Sequence, residues 1–359
     1  MSTAGRPALA ARADLEKVEP YVSPQLPARY RLNTNESPYP PPPALVEDVA
    51  ASLREVALNR YPDRDAEALY GALSELVTWP IDGLWIANGS NEVFLHVFLT
   101  FGGAGRTAMI FEPTYALHTS IPRVAGTDVI SVGRGPDLRI DRDEALRAIR
   151  TERPEVVILT SPNNPSGLLE ERTTVEAMVR EAAGLVIVDE AYIEFAPDGS
   201  SVKDLLVRHP NLVVTRTFSK AWRLAGVRLG YLMAAPAIVA EMARVRLPYG
   251  LSALTQVVGE RALEHEADTR DVVRKVVEER DRIVAELRAR SLEPTESAAN
   301  FVMFSVPDAS RLWDALLERG VLVRRYAGVP GLENRLRVSA GLPAETDAFL
   351  AALDEVRGD

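Results

Sequence analysis

The strongest constraint on the fold is a series of short apolar runs that share one texture. They are LWIAN (84–88), TAMIF (107–111), DVISV (128–132), EVVILT (155–160), GLVIVDE (184–190), NLVVTRTF (211–218) and LGYLMA (229–234). Each has the length of a strand, and none alternates apolar with polar residues, so both faces must be buried. Helical stretches such as ERTTVEAMVREAA (171–183) lie between several of them. The pattern predicts an α/β domain, a large, mostly parallel seven-stranded sheet with helices on both faces. Sheets of this kind bind ligands at the carboxyl ends of their strands.

The texture changes near residue 249. TRDVVRKVVEERDRIVAELRAR (269–290) has the spacing of an amphipathic helix. A strand follows (NFVMFSV, 300–306), then a helix (ASRLWDALLERG, 309–320), strands at VLVRRY (321–326) and RLRVSA (335–340), and a last helix from Pro343. This predicts a smaller α+β C-terminal domain. At the other end, residues 1–30 are rich in Pro, Ala and charge and read as an arm, and SPYPPPP (37–43) reads as a rigid connector. The expected division is an arm at 1–30, a large domain at 31–248 and a small domain at 249–359. The cleft between the domains is the expected site.

Composition narrows the chemistry. With 41 basic and 51 acidic side chains the formal net charge is −10, which disfavours a nucleic-acid binder. Cysteine is absent, which removes thiol nucleophiles, disulfides and thiolate zinc sites. His96, His118, His209 and His265 are scattered without an i,i+4 pair, so no metal site is expected. No apolar run approaches the roughly 20 residues of a membrane span, and the first residues lack the apolar core of a secretory signal. The expectation is a soluble, cytoplasmic protein with no nucleic-acid or membrane partner.

Several polar residues fall where the strands end. Lys220 follows the run 211–218, with Ser219 before it and Arg228 eight positions on. The plain reading is a solvated lysine in a turn. Two cations brought to one cleft also suit an anion, or a lysine of lowered pKa able to form a Schiff base. Asp189 closes GLVIVD, where a carboxylate is costly unless a cation meets it. A metal-binding or salt-bridged aspartate of a nucleotide-hydrolysing enzyme is the alternative, but the glycine-rich Gly-Lys-Ser/Thr loop is missing. Asn164 in SPNNPSG precedes Pro165 and is held out of the helical region, or simply forms a turn. In GSNE (89–92), Ser90 or Asn91 can cap the apolar helix that follows, as an anion site or merely as a cap. Together these residues suit a pyridine aldehyde phosphate. The lysine meets the aldehyde and Asp189 the pyridinium nitrogen. Asn164 and Tyr192 meet the phenolate oxygen, and the helix start and Arg228 meet the phosphate.

The ordered set RLNTNESPY (31–39), NRYP (59–62), GSNE, EPTY (112–115), SPNNPSG, VDEAY (188–192), TFSKAWRLAGVRLGY (217–231), NFV (300–302), VLVR (321–324) and LRVSAG (336–341) resembles the fold-type I pyridoxal-phosphate aminotransferases. Within them it resembles the histidinol-phosphate aminotransferase family, over nearly the whole chain. The resemblance implies pyridoxal 5'-phosphate as cofactor, with Lys220 as the Schiff-base lysine and proton carrier, Asp189 at the ring nitrogen, and Asn164 and Tyr192 at the phenolate oxygen. It implies that Ser90, Asn91, Thr217, Ser219 and Arg228 surround the phosphate and that Tyr115 stacks on the ring. It further implies that Tyr61 reaches the site of a second subunit in a homodimer, and that Tyr21, Asn35, Arg324 and Arg337 contact substrate. Two stretches depart from the family pattern. PAETDAFL (343–350) carries Ala348 where an arginine is usual, and RVSAGLP replaces a threonine-valine-glycine form. The first weakens the expectation of a phosphorylated substrate.

The activity implied is transamination by two half-reactions at one site, with L-histidinol phosphate as amino donor and 2-oxoglutarate as acceptor. An aromatic amino acid aminotransferase is the neighbouring alternative. A carbon–carbon lyase of the threonine-phosphate decarboxylase type and a cofactor-binding regulator without turnover are alternatives of other classes.

Overall fold

The computed structural model describes residues 12–18, 20 and 26–358. Its strands are β1 (Tyr30–Arg31), β2 (Leu84–Ala87), β3 (Thr107–Glu112), β4 (Asp128–Gly133), β5 (Val156–Thr160), β6 (Leu185–Asp189), β7 (Leu212–Thr217) and β8 (Gly230–Ala234). Then come β9 (Glu293–Pro294), β10 (Phe301–Ser305), β11 (Val321–Leu322), β12 (Arg324–Arg325) and β13 (Arg335–Ser339). The apolar runs at 84–234 all form strands, and they join one seven-stranded sheet in the order β2-β8-β7-β6-β5-β3-β4. Neighbours are parallel from β7 through to β4, whereas β8 is antiparallel to both β2 and β7. The connection 218–229 between β7 and β8 contains only a short 3-10 turn, Ala225–Val227, and no crossover helix. The chain therefore returns beside itself antiparallel, and that return loop carries Lys220 and Arg228.

Both faces of the sheet are covered, as the runs require. Val157, Leu159, Val186, Val188 and Val214 pack into one apolar cluster. Their chain neighbours Val156, Ile158, Ile187 and Val213 pack into a second on the opposite face, with Phe94 and Phe98 of the helix Ser90–Phe101. The period of two then decides where the polar residues at the strand ends point. Thr160, Asp189 and Thr215 stand side by side in register across β5, β6 and β7, on the face of Ile158, Ile187 and Val213.

The C-terminal residues build the smaller antiparallel sheet β12-β13-β10-β9, packed against the helix Glu266–Ala289. VLVRRY reads as one strand but is two. Val321–Leu322 pairs in parallel with β1, and Arg324–Arg325 pairs with β13. The stretch after β1 stays on this small sheet: Leu32 N–H bonds to Leu322 O at 2.8 Å, and Ser339 N–H bonds to Leu32 O at 2.9 Å. Among the described residues no helix is long and apolar enough to cross a membrane.

Candidate active site

A cavity of about 1370 Å³ opens at the carboxyl ends of the sheet strands and is closed on its far side by residues of the small sheet. Ser90, Asn91, Tyr115, Asn164, Asp189, Tyr192, Thr217, Ser219, Lys220 and Arg228 all line it, as do Asn35, Arg324 and Arg337. One further expected site residue is not there. Tyr61 is 80% exposed and stacks on Tyr249, ring centroids 4.4 Å apart. Tyr21 lies outside the described residues.

At one end of the cavity is a cradle of small groups. The helix Ser90–Phe101 begins there, and its cap position is Gly89, at φ 81°, with no side chain capping the first turn. This corrects the expectation that Ser90 or Asn91 caps the helix. The backbone needs the left-handed region, which glycine enters at little cost, and Ser90 and Asn91 are already inside the helix. Glu92 instead turns back to accept from Asn88 N–H at 2.6 Å. A Cβ on Gly89 would come within 2.5 Å of the Arg228 guanidinium, and one on Gly230 within 2.3 Å of the Ser90 nitrogen. The helix start, the Arg228 side chain and β8 are thus as close as glycine allows. Arg228 donates to Ser219 Oγ at 3.3 Å, and Thr217 Oγ1 donates to Ser219 Oγ at 3.0 Å. A helix N-terminus, hydroxyls and a guanidinium converging on one spot could hold a phosphate.

Asp189 is 4% exposed. Its carboxylate accepts from Thr215 Oγ1 at 3.1 Å and lies 3.1 Å from His118 Nε2. His118 is itself buried and its Nδ1 contacts Thr160 Oγ1 at 3.2 Å. A carboxylate fixed on two sides and, among the described residues, without a guanidinium or ammonium partner could pair with a cationic ring nitrogen. His118 and Thr215 were not legible in the sequence. His118 is 71 positions from its partner, and only the sheet brings the two together.

Lys220 stands beside this floor. Its Nζ donates to Thr34 O at 3.2 Å. Burial pushes its pKa down to about 8, and the Arg337 and Arg228 charges act in the same direction while the Glu36 carboxylate opposes them. A lysine amine in that range is available as nucleophile and base near neutral pH. The hydroxyl of Tyr192 receives a hydrogen bond from Asn35 Nδ2 at 3.1 Å and a longer one from Asn164 Nδ2 at 3.4 Å. Burial raises the Tyr192 pKa to about 12, so it stays a neutral donor.

The remaining wall belongs to the small sheet. Arg337 lies over the Phe301 ring, with its guanidinium carbon 5.0 Å from the centroid. It donates to Asn164 Oδ1 at 2.6 Å and to Asn33 O at 2.7 Å. Arg324 is its direct cross-strand neighbour on β12. Ala348 is not among the residues that line the cavity. The donor set as a whole fits pyridoxal phosphate: a phosphate cradle, a fixed carboxylate, two donors for an oxyanion and a lysine of lowered pKa.

Comparison with known proteins gives the same direction. The family profile described as aminotransferase class I and II matches residues 30–353. The chain is 50% identical over 362 residues to histidinol-phosphate aminotransferase of Streptomyces avermitilis, covering 97% of each protein. Among solved structures, that of histidinol-phosphate aminotransferase from Sinorhizobium meliloti in complex with pyridoxal-5'-phosphate matches with a TM-score of 0.88 at 25% identity, covering 99% of both chains. L-threonine-O-3-phosphate decarboxylase from Porphyromonas gingivalis also matches, with a TM-score of 0.79 at 22% identity and coverage of 92% of this chain and all of that one, which shows a shared fold.

Proposed function

Because the chain belongs to the class I and II aminotransferases, and among them to the histidinol-phosphate aminotransferases, we propose that it uses pyridoxal 5'-phosphate to move the amino group of L-histidinol phosphate to 2-oxoglutarate. The products are imidazole acetol phosphate and L-glutamate, a step of histidine biosynthesis. The observation that carries the substrate assignment is the pair Arg324 and Arg337. Like charges directly opposite on paired strands repel, and here both line one wall of the cavity. An anion between them relieves that repulsion. The donor's phosphate and the acceptor's distal carboxylate are both anions that a guanidinium binds through two parallel hydrogen bonds.

Bound pyridoxal phosphate supplies an electron-withdrawing ring that weakens the bond between the substrate's amino-bearing carbon and its hydrogen. The protein's residues do the rest. Ser90, Asn91, Thr217, Ser219 and Arg228 hold the phosphate, and Tyr115 covers the ring. Asp189, fixed by His118 and Thr215, keeps a proton on the ring nitrogen. Asn164 and Tyr192 donate to the phenolate oxygen. Lys220 would carry on its Nζ the proton taken from the substrate carbon, a role its lowered pKa suits. Arg337, Arg324, Asn35 and Tyr21 orient the substrate.

We place the division between the domains at 248/249, with the strand β1 paired to β11. The working unit is a homodimer in which Tyr61 serves the partner's site. Leu58, Tyr61 and Leu247 are each more than 70% exposed, and Leu254 and Tyr249, on which Tyr61 stacks, are partly exposed. Large apolar side chains left open in this way suit a covering surface.

The test is kcat/KM for histidinol phosphate against phenylalanine and tyrosine, with 2-oxoglutarate as acceptor. Histidinol phosphate should lead. A tenfold or greater lead for an aromatic amino acid overturns the assignment, and turnover that needs no oxo acid points to the lyase alternative.

A further inference from the structure

The strip 33–36 runs past the three stations of the site in order. Asn33 O accepts from Arg337, and Thr34 O accepts from Lys220. Asn35, at φ 56°, is locked by Ser339, Asn300 and Tyr192. Glu36 follows two positions after Thr34, lines the cavity and is exposed at its mouth. One carboxylate oxygen accepts from Thr34 Oγ1 at 2.9 Å. The other carboxylates on the cavity wall are Asp189 and Glu112. Asp189 is spoken for by His118 and Thr215, and Glu112 sits at the outer end of β3. Otherwise the lining charges are cationic: Arg123, Arg134, Lys220, Arg228, Arg324 and Arg337.

We propose that Glu36 is a specificity-determining residue, whose carboxylate accepts the ring N–H of the amino donor. Along the strip the order is then anion site at Asn33, reacting centre at Thr34 and hydrogen-bond acceptor at Glu36. That order matches a donor with a phosphate on one arm of its amino-bearing carbon and an N–H heterocycle on the other. A phenyl ring of the same size offers Glu36 no donor and leaves a carboxylate facing an apolar edge. A site built to bond a polar group rejects the analogue lacking it far more strongly than an apolar pocket separates two isosteres. The proximity of Glu36 to Lys220 is supported by its effect on the lysine, whose protonated form it favours.

The inference rests on the proposed transamination of histidinol phosphate, and one experiment separates the two. The holoenzyme and Glu36→Gln are compared on histidinol phosphate and on the phosphate ester of phenylalaninol, which differ only in the ring. Glutamine keeps the shape and can keep the bond to Thr34, but loses the charge. A charge-assisted hydrogen bond of the usual strength makes the ratio of kcat/KM between the two donors fall about ten- to a hundredfold. Equilibrium binding of two amine-free esters, 3-(imidazol-4-yl)propyl phosphate and 3-phenylpropyl phosphate, should show the same change of ratio without turnover. Equal losses on both donors, or an unchanged ratio, overturn the role of Glu36. Absence of turnover of histidinol phosphate by the unaltered enzyme overturns the function on which it rests.

Discussion

Replacing Arg337 with methionine removes the guanidinium while keeping a long apolar stem over Phe301. In the structure that guanidinium makes two hydrogen bonds, to Asn164 Oδ1 at 2.6 Å and to Asn33 O at 2.7 Å. Its Nε is buried and has no hydrogen-bond partner among the described residues. A substrate anion bound through two charge-assisted hydrogen bonds draws about 3–6 kcal/mol from them at about 1.5–3 kcal/mol each. At about 1.4 kcal/mol per tenfold, Arg337→Met should lower kcat/KM by roughly 10²- to 10⁴-fold. Both half-reactions should suffer, because donor phosphate and acceptor carboxylate use the same group. Stopped-flow absorbance of each half-reaction measures them separately. A second effect has a definite sign. The Arg337 charge is, after burial, the largest influence holding the Lys220 pKa down at about 8. Removing a neighbouring cation favours the protonated amine, so the midpoint for chemical labelling of Lys220 in the cofactor-free protein should move upward. Thermal unfolding controls for the loss of the contacts to Asn33 and Asn164. A loss under tenfold in both half-reactions refutes the shared anchor. A loss confined to one of them gives that half-reaction alone to Arg337.

Lys220→Ala should cost several orders of magnitude in turnover, since nucleophile and proton carrier vanish together, and borohydride should no longer fix cofactor absorbance on the protein. Asp189→Asn keeps the bond from Thr215 but removes the charge, so activity should fall far more than cofactor content; equal falls in both would contradict its role. Gly230→Ala places a methyl 2.3 Å from the Ser90 nitrogen, so cofactor affinity should drop in equilibrium dialysis with the fold retained in circular dichroism. Mixing Tyr61→Phe chains with Lys220→Ala chains should restore one intact site per heterodimer, and full activity from a monomer would refute the shared site.

The sheet was legible because burial on both faces leaves a plain mark. Val156 to Leu159 alternate between two apolar clusters, so no position in the run tolerates a polar side chain. Asp189 and Lys220 were legible for the converse reason, as charges at the ends of such runs. What escaped is what depends on pairing. The run 229–234 looks like its neighbours, yet β8 runs antiparallel, because direction is set by the connection 218–229 and not by strand composition. VLVRRY offers one continuous β-prone stretch. Its halves part only because β1, some 290 positions earlier in sequence, takes Val321 and Leu322 while β13 takes Arg324 and Arg325.

The same reasoning bears on Ala348. Read along the chain, a missing arginine in the last helix subtracts charge from the substrate end. In three dimensions the cationic wall proposed to hold the substrate anion is a property of β12 and β13, whose register sets Arg324 opposite Arg337, while Ala348 is not among the lining residues. Charge matters to a buried anion through a few ångströms of distance and through dehydration, not through its presence in a motif. Arg337 is 6% exposed and already bonded to the strip that carries Asn33 to Glu36. The strength of the anion site therefore depends on how firmly that strip is held. Its anchors are Asn35, Ser339 and Asn300, each of them buried and none of them charged.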